Sequence, residues 1–541
     1  MLAWLKDRQT RRDLVWITLI ALVVQAFWAL RMSYPTYFDA FYYTTNAQRI
    51  AEGHGLTQEI IWQYLDRPER LPVPSFTYWM PLPAFIAAIG YKVHDSFRAA
   101  QIPFWLMASF LPWMSYAIAW HLRKTRWMAR TAALFTAAGG YYAAYWNQPT
   151  TFVLFAWAGG GCLLALAWAH ERKRWGDWLF AGVLAGLSHL SRADGLLLLV
   201  VAGIIWLYDV MAWWKRRSQA QDAQGDRFAA LQSLIAFGFI FVGGYLLVMG
   251  GWFWRTYQLV GSPMSTVGTQ TIFLTAYNDL FSYGRSFDLA SYLDWGFVNI
   301  LKSKAVAASL GIQTFIAVTG LTVFVFFMMW AWIKLGRSKR TGSFLRPFSW
   351  YLVLLYSIMI FVFTFPGQRG SLLHSSVAVW PWSMALAAIG VDYAVDWMAD
   401  RRPAWQPEPA KRLFAVVFVI LVFVVSFVVS STQPLQTEQA AIYKQVADMI
   451  PPDSVVMTGD PPGVYYHTRL PAVAMPNEPP EMLPVISEQL GVTHLLLDSE
   501  RPPTLADLHD EKISLPALKK MHDFGDGYVL YQFVHVENEG E

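Results

Sequence analysis

Long apolar runs alternate with short polar segments over the first four-fifths of the chain, and the last fifth loses this rhythm. About 20 apolar residues in a helix cross the hydrocarbon core of a bilayer. On that measure the pattern predicts about eleven transmembrane helices, near 14–30, 99–120, 131–145, 152–170, 178–191, 195–213, 229–252, 306–333, 348–365, 375–391 and 413–430. A further apolar stretch, 78–93, is short and carries Pro81 and Pro83 near its start. It reads as an interfacial or re-entrant helix. From 432 onward the pattern becomes that of a small α/β domain. Helices over 438–449 and 479–490 and strands at 454–458, 493–498 and 528–534 are expected there. The predicted architecture is a helical polytopic membrane domain, 1–431, with a first external loop at 31–77, followed by a C-terminal domain, 432–541.

Charge decides the expected orientation. The short segments 1–12, 121–130, 171–178, 213–228, 334–346 and 400–412 hold 24 of the 42 Lys and Arg. The positive-inside rule puts them in the cytoplasm, and with them the N-terminus. An odd number of spans then leaves the C-terminal domain extracytoplasmic, on a multi-pass protein of the cell membrane. Composition agrees, with 55% hydrophobic and only 15% charged residues, against about 25% charged in soluble domains. A net charge of +4 gives no case for a nucleic-acid partner. The single cysteine, Cys162, excludes an intrachain disulfide and a cysteine metal site. The first apolar run lacks a small-residue cleavage site and reads as a retained span.

The candidate chemistry lies on the expected outer side. Asp39 stands in Tyr34-Pro-Thr-Tyr-Phe-Asp39-Ala-Phe-Tyr42-Tyr43, a few residues beyond the first span. A carboxylate in such a partly dehydrated aromatic setting can act as a base, or simply cap the helix expected at 40–52. Ser188-His189-Leu-Ser-Arg192-Ala-Asp194-Gly195 follows an apolar run too short to clear the core. His189 and Arg192 are therefore expected below the outer surface, where a charge must face protein or a wet cavity. Arg192 suits a lipid phosphate, which a guanidinium grips bidentately, or pairs structurally with Asp194 or Asp39. Arg255, Arg369 and His374 emerge on the same side as further phosphate-binding candidates; snorkelling to the interface is the plain alternative for Arg255. Tyr277 and Asp279 line a sugar pocket or cap an external helix. The turn Gly459-Asp-Pro-Pro-Gly463 lacks the spacing of a nucleotide fingerprint.

Several of these segments resemble one family. Asp39 with Tyr42 and Tyr43, Glu52-Gly53-His-Gly55, Tyr78-Trp-Met-Pro81-Leu-Pro83 and Arg192-Ala-Asp-Gly195 occur in the order and sidedness seen in GT-C glycosyltransferases. The resemblance is to the branch holding protein O-mannosyltransferases and the lipid A aminoarabinose transferase. It implies a polyprenyl-phosphate-linked sugar as donor and inverting transfer on the outer side. Asp39 is then the general base, and Arg192, helped by Arg255, Arg369 and His374, holds the donor phosphate. Tyr42, Tyr43, His189, Asp194, Gln148, Tyr277 and Asp279 contact substrate. No cofactor is required, and a divalent metal is optional without being indicated. The acceptor, whether protein, glycan or lipid, is not specified. The loop Tyr145-Trp-Asn-Gln-Pro-Thr150 lacks the second acid many relatives carry; Asn147, Gln148, Asp194 or Asp279 is left to take its place. Two other readings use the same face: a transporter or flippase of a lipid-linked sugar, and a non-catalytic polyprenyl-lipid-binding assembly protein.

Overall fold

The computed structural model describes residues 6–219, 224–402, 405–432, 437–498 and 500–534, without side chains at 216–219, 224–230 and 437–438. Parts of the basic segments 1–12, 213–228 and 400–412 lie outside the described residues. The first ten helices are α1 (Arg8–Arg31), α2 (Phe38–Glu52), α3 (Leu82–Val93), α4 (Phe97–Phe110), α5 (Pro112–Arg123), α6 (Arg126–Ala137), α7 (Thr151–Arg172), α8 (Trp175–Ser191), α9 (Leu197–Gln219) and α10 (Gln224–Val260). Among the described residues, eight helices are long and apolar enough to cross a membrane, and a bent pair makes a ninth. The chain is a polytopic helical membrane protein.

The expected eleven spans reduce to nine among the described residues, the bent pair included: 131–145 and 178–191 give helices of 12 and 17 residues, and three segments differ in form. α6 ends at Ala137 rather than 145, because Gly139 and Gly140 take positive φ values of 83° and 55° and turn the chain out of the helix. α8 has 17 residues, a span only if its ends are close to the hydrocarbon boundary. The expected span 306–333 is broken: Phe297–Thr319 and Phe324–Gly336 meet at 92°. The bend sits at Leu321 and Thr322, both with positive φ, just after Gly320, whose missing Cβ admits Val325.

Small residues set a close crossing of α8 with α10. A Cβ on Gly182 of α8 would lie 2.1 Å from the Phe241 carbonyl of α10, and one on Gly244 of α10 would lie 2.6 Å from the Leu179 carbonyl of α8. Backbones packed this closely gain dispersion contacts that lipid tails cannot supply. The crossing fixes where α8 ends, and therefore where Arg192 stands. Segment 78–93 yields α3, which starts on Pro81 and Pro83, where missing N–H groups cost nothing.

The soluble part differs more from expectation. A six-stranded sheet runs in the order β2-β5-β4-β6-β8-β7, where β4 is Val456–Thr458, β5 Ala472–Ala474, β6 His494–Leu497, β7 Leu518–Gly525 and β8 Tyr528–Phe533. Its edge strand β2 is Ile60–Ile61, contributed by the first loop and parallel to β5. A two-stranded ribbon, β1 (Thr57–Gln58) with β3 (Val73–Pro74), flanks it in the same loop. The sheet therefore crosses the expected boundary at 431/432. Gly459–Gly463 is no loop: Asp460 caps the helix Pro461–Thr468, its carboxylate accepting from the Gly463 N–H at 3.0 Å.

That helix packs on α2. Phe41 meets Tyr466 and His467 edge-on or tilted, and the Arg49 guanidinium donates to the Tyr465 hydroxyl at 3.1 Å. Arg49 also reaches Glu59 at 3.3 Å and the Thr57 carbonyl at 2.9 Å. The first loop, α2 and the C-terminal domain thus form one packed layer. Ile61 is fully buried in the C-terminal core beside Val473 and Leu495. Ile61→Ala, although 370 residues or more from most of that core in sequence, is expected to destabilise the C-terminal domain by about 2–5 kcal/mol. Limited proteolysis of the domain against temperature checks this; an unchanged midpoint refutes the shared sheet.

Candidate functional site

The site forms where four segments converge on the face carrying the C-terminal domain. Asp39 lies in the first turn of α2, whose N-cap is Tyr37. It is not the cap, and the backbone N–H that bears on its carboxylate is its own. The positive end of α2 favours a negative charge there. Its side chain remains 24% open. Burial pushes the carboxyl up to about 6, against the pull of the Arg192 charge.

His374 faces Asp39, with Nε2 3.5 Å from Oδ2. Its other nitrogen, Nδ1, is 2.9 Å from the Thr151 hydroxyl at the start of α7, and the ring stacks on Phe152 at 4.0 Å. The imidazole, held by Thr151 and Phe152, faces the Asp39 carboxylate.

Arg192, at the C-cap of α8, pairs bidentately with Asp194, Nε to Oδ1 at 3.0 Å and Nη2 to Oδ2 at 3.1 Å. Asp194 also accepts from the Ser375 hydroxyl, and the Tyr351 hydroxyl donates to the Ser375 carbonyl at 2.9 Å. The turn 192–195 closes because Gly195 presses on the His189 backbone, where a Cβ would lie 2.5 Å away. The Asp194 fork leaves Nη1 of Arg192 uncommitted to it. Tyr43 and Tyr78 stand close enough to feel the charges of Arg192, Asp194 and Asp39, which flank them. Arg369 lies exposed with its guanidinium 4.8 Å from the Tyr277 ring. Burial raises the Tyr277 hydroxyl, and Tyr78 and Asp39 push it the same way.

Other expected site residues are engaged elsewhere. Asp279 accepts from the N–H groups of Thr275 and Ala276, both at 2.8 Å, and from the Thr275 hydroxyl: it caps a short helix, as its simpler reading had it. Arg255 neither snorkels nor reaches the site; it donates to the Ser75 carbonyl at 2.7 Å and so pins the first loop. His189 turns away from the site, Nδ1 lying 2.6 Å from the Tyr245 hydroxyl. Tyr42 is buried in an aromatic packing with Trp62, Phe76 and Trp79, and its hydroxyl accepts from the Phe76 N–H at 3.2 Å. Gln148 accepts from the Thr36 N–H at 3.1 Å, and Asn147 donates to Gln25 at 2.9 Å, so both hold the approach to α2 rather than a substrate. Polar side chains stand out in the sequence whatever they bind; here Asp279 and Arg255 are taken up by main chain, and His189 and Asn147 by the side chains of Tyr245 and Gln25. Thr151, Ser375 and Tyr351 are the residues the sequence concealed, since hydroxyls within apolar helices carry no distinguishing signal. Among the described residues no group of three His, Cys, Asp or Glu side chains is arranged to hold a metal.

Comparison with known proteins places this geometry. Residues 73–238 match the family described as dolichyl-phosphate-mannose-protein mannosyltransferase. The oligosaccharyltransferase AglB of Archaeoglobus fulgidus, solved with an inhibitory peptide and a dolichol-phosphate, is similar in structure. It is 11% identical with a TM-score of 0.58, over 92% of this chain and 70% of that one. ArnT of Cupriavidus metallidurans, bound to undecaprenyl phosphate, is 12% identical with a TM-score of 0.53, over 96% of this chain and 98% of that one. No curated protein sequence matches significantly. The fold is a GT-C fold, of the type of the protein mannosyltransferases and ArnT.

Removing Asp194 would strand the Arg192 guanidinium, whose side chain is only 14% exposed. Asp194→Ala is expected to destabilise the membrane domain by about 3–5 kcal/mol, whereas Asp194→Glu retains most of the stability. Thermal unfolding in detergent distinguishes them, and equal stability of Asp194→Ala and the native chain contradicts a structural pair.

Proposed function

We propose that this chain is a membrane glycosyltransferase that moves a sugar from a polyprenyl-phosphate-linked donor to an acceptor on the face of the C-terminal domain. The observation that carries the reading is the state of Asp39. Its carboxylate is uncapped, partly open, held near neutrality in its proton affinity and set beside a guanidinium, within a GT-C fold. Solved proteins of this fold hold a dolichol-phosphate in AglB and undecaprenyl phosphate in ArnT, which supports the donor class.

In this mechanism Asp39 takes the proton of an acceptor hydroxyl as that oxygen attacks the anomeric carbon. The bond from that carbon to the phosphate oxygen breaks on the opposite side, so the anomeric configuration inverts. The electron pair leaves with polyprenyl phosphate. Arg192, already anchored by Asp194, stabilises the charge growing on the leaving group through its remaining N–H groups, and Arg369 is the second cation on that side. His374 keeps the Asp39 carboxylate oriented and adds no charge of its own in the neutral form. The N-terminus then lies in the cytoplasm and the C-terminal domain outside, in keeping with the distribution of Lys and Arg.

Released polyprenyl phosphate is the readout, with water as the slow acceptor in place of the natural one. Asp39→Asn is expected to lower release by about 10²–10⁴-fold while donor binding persists. Only the ionised carboxylate acts as base, so the native rate is expected to be level at high pH. It should fall about tenfold per pH unit below about 6. Undiminished release from Asp39→Asn, or a flat profile across pH 6, removes Asp39 as the base. Donor binding with vectorial movement across vesicles, and no release, replaces the enzyme reading with a flippase.

A further inference from the structure

A second cluster of cations stands at the other end of the same helices. Lys124, Arg126, Arg172 and Arg174 line a cavity of about 580 Å³, together with Trp120 and Trp168. α7 runs from Thr151, beside His374, to Arg172 at this cavity, and α8 runs from Trp175, next to Arg174, to the Arg192 turn. At 1.5 Å per residue, 22 residues of α7 separate the two places by roughly 33 Å. The cavity is thus independent of the Asp39 site.

We propose that this cavity binds a phosphate-bearing anion, either the headgroup of an acidic phospholipid or a soluble phosphate compound. The first argument is the charge balance. Arg126 reaches Asp7 at 2.9 Å and Arg172 lies 3.8 Å from Asp177, while Lys124 and Arg174 have no ion pair among the described residues. The second is an unmet donor: Nη1 of Arg126 is enclosed and lacks a hydrogen-bond acceptor among the described residues, and an anionic oxygen would supply one. The third is the backbone. α6 and α8 both begin here, at Thr125 and Arg174, and neither N-terminus receives a side-chain cap. Free N–H groups and the positive ends of two helices add to the cations. A basic rim serving only topology would need no cavity and no enclosed guanidinium. Burial, with the charges of Arg340 and Arg172, also holds the Lys124 ammonium below its usual range. Arg172 over Trp168, at 4.8 Å, gives the cavity a rigid aromatic wall.

The test uses the full chain in two arms. Native mass spectrometry with equimolar phosphatidylglycerol and phosphatidylcholine measures headgroup retention, and calorimetry with inorganic pyrophosphate measures the soluble anion. The double variant Lys124→Gln/Arg174→Gln removes two exposed cations that form no ion pair, so its folding should match the native chain. About fivefold weaker binding per cation, roughly thirtyfold for the pair, is expected. Lys124→Arg/Arg174→Lys should retain binding, and Arg401→Gln/Arg402→Gln, elsewhere on the chain, should leave it unchanged. Loss in the lipid arm alone assigns a headgroup, and loss in the pyrophosphate arm alone assigns a soluble phosphate. Absence of both ligands from the native chain, or equal loss in the Arg401/Arg402 control, overturns the site.

Discussion

An arginine placed at the end of a short apolar helix must be compensated or it does not stay there, and the arrangement of this protein follows from how Arg192 is compensated. A charge near the hydrocarbon costs at least about 2.5–3.5 kcal/mol when it faces lipid. Asp194 takes two of its donors, Ser375 fixes Asp194, and Tyr351 fixes Ser375. The chain of contacts ties α8 to the two long helices that follow the broken pair. The resulting cation is rigid, desolvated and only partly used, the condition under which a guanidinium acts most strongly on an incoming anion.

The carboxylate opposite is positioned from the other direction. Gln148 holds Thr36, Arg255 holds Ser75, Tyr42 holds Phe76, and the helix Pro461–Thr468 supports α2 along its length. None of these residues needs to touch a substrate to matter. They keep one partly open acid close to the Arg192–Asp194 ion pair, and the sheet shared between the first loop and the C-terminal domain makes that domain part of the support. A domain joined by a flexible tether would leave α2 to find its own orientation.

The helical membrane architecture was legible because apolar length and Lys/Arg bias act locally along the chain. Asp39 and Arg192 were legible for a related reason: an isolated charge beside a span must have a use or a partner. The partners were not legible. Asp279 and Arg255 look as functional in sequence as Arg192 does, yet main-chain groups several or many residues away consume them. Strand β2 has only two residues, too short for any alternation pattern, and β5 and the helix Pro461–Thr468 hide in what reads as a Pro/Gly turn and its sequel.

What the amino-acid sequence determined by itself is therefore what hydrophobic periodicity and charge bias can specify over a window of about 20 positions: a membrane bundle, an α/β tail and a short roster of isolated ionisable groups. Tertiary structure alone decided which of those groups meet. His374 faces Asp39 across 335 positions of chain, and Ser375 reaches Asp194 across 181. Such pairings are set by helix crossings like that of Gly182 with Phe241, where the fit depends on atoms from both helices at once. No local pattern encodes a fit of that kind, because each helix is satisfied only by the surface of the other.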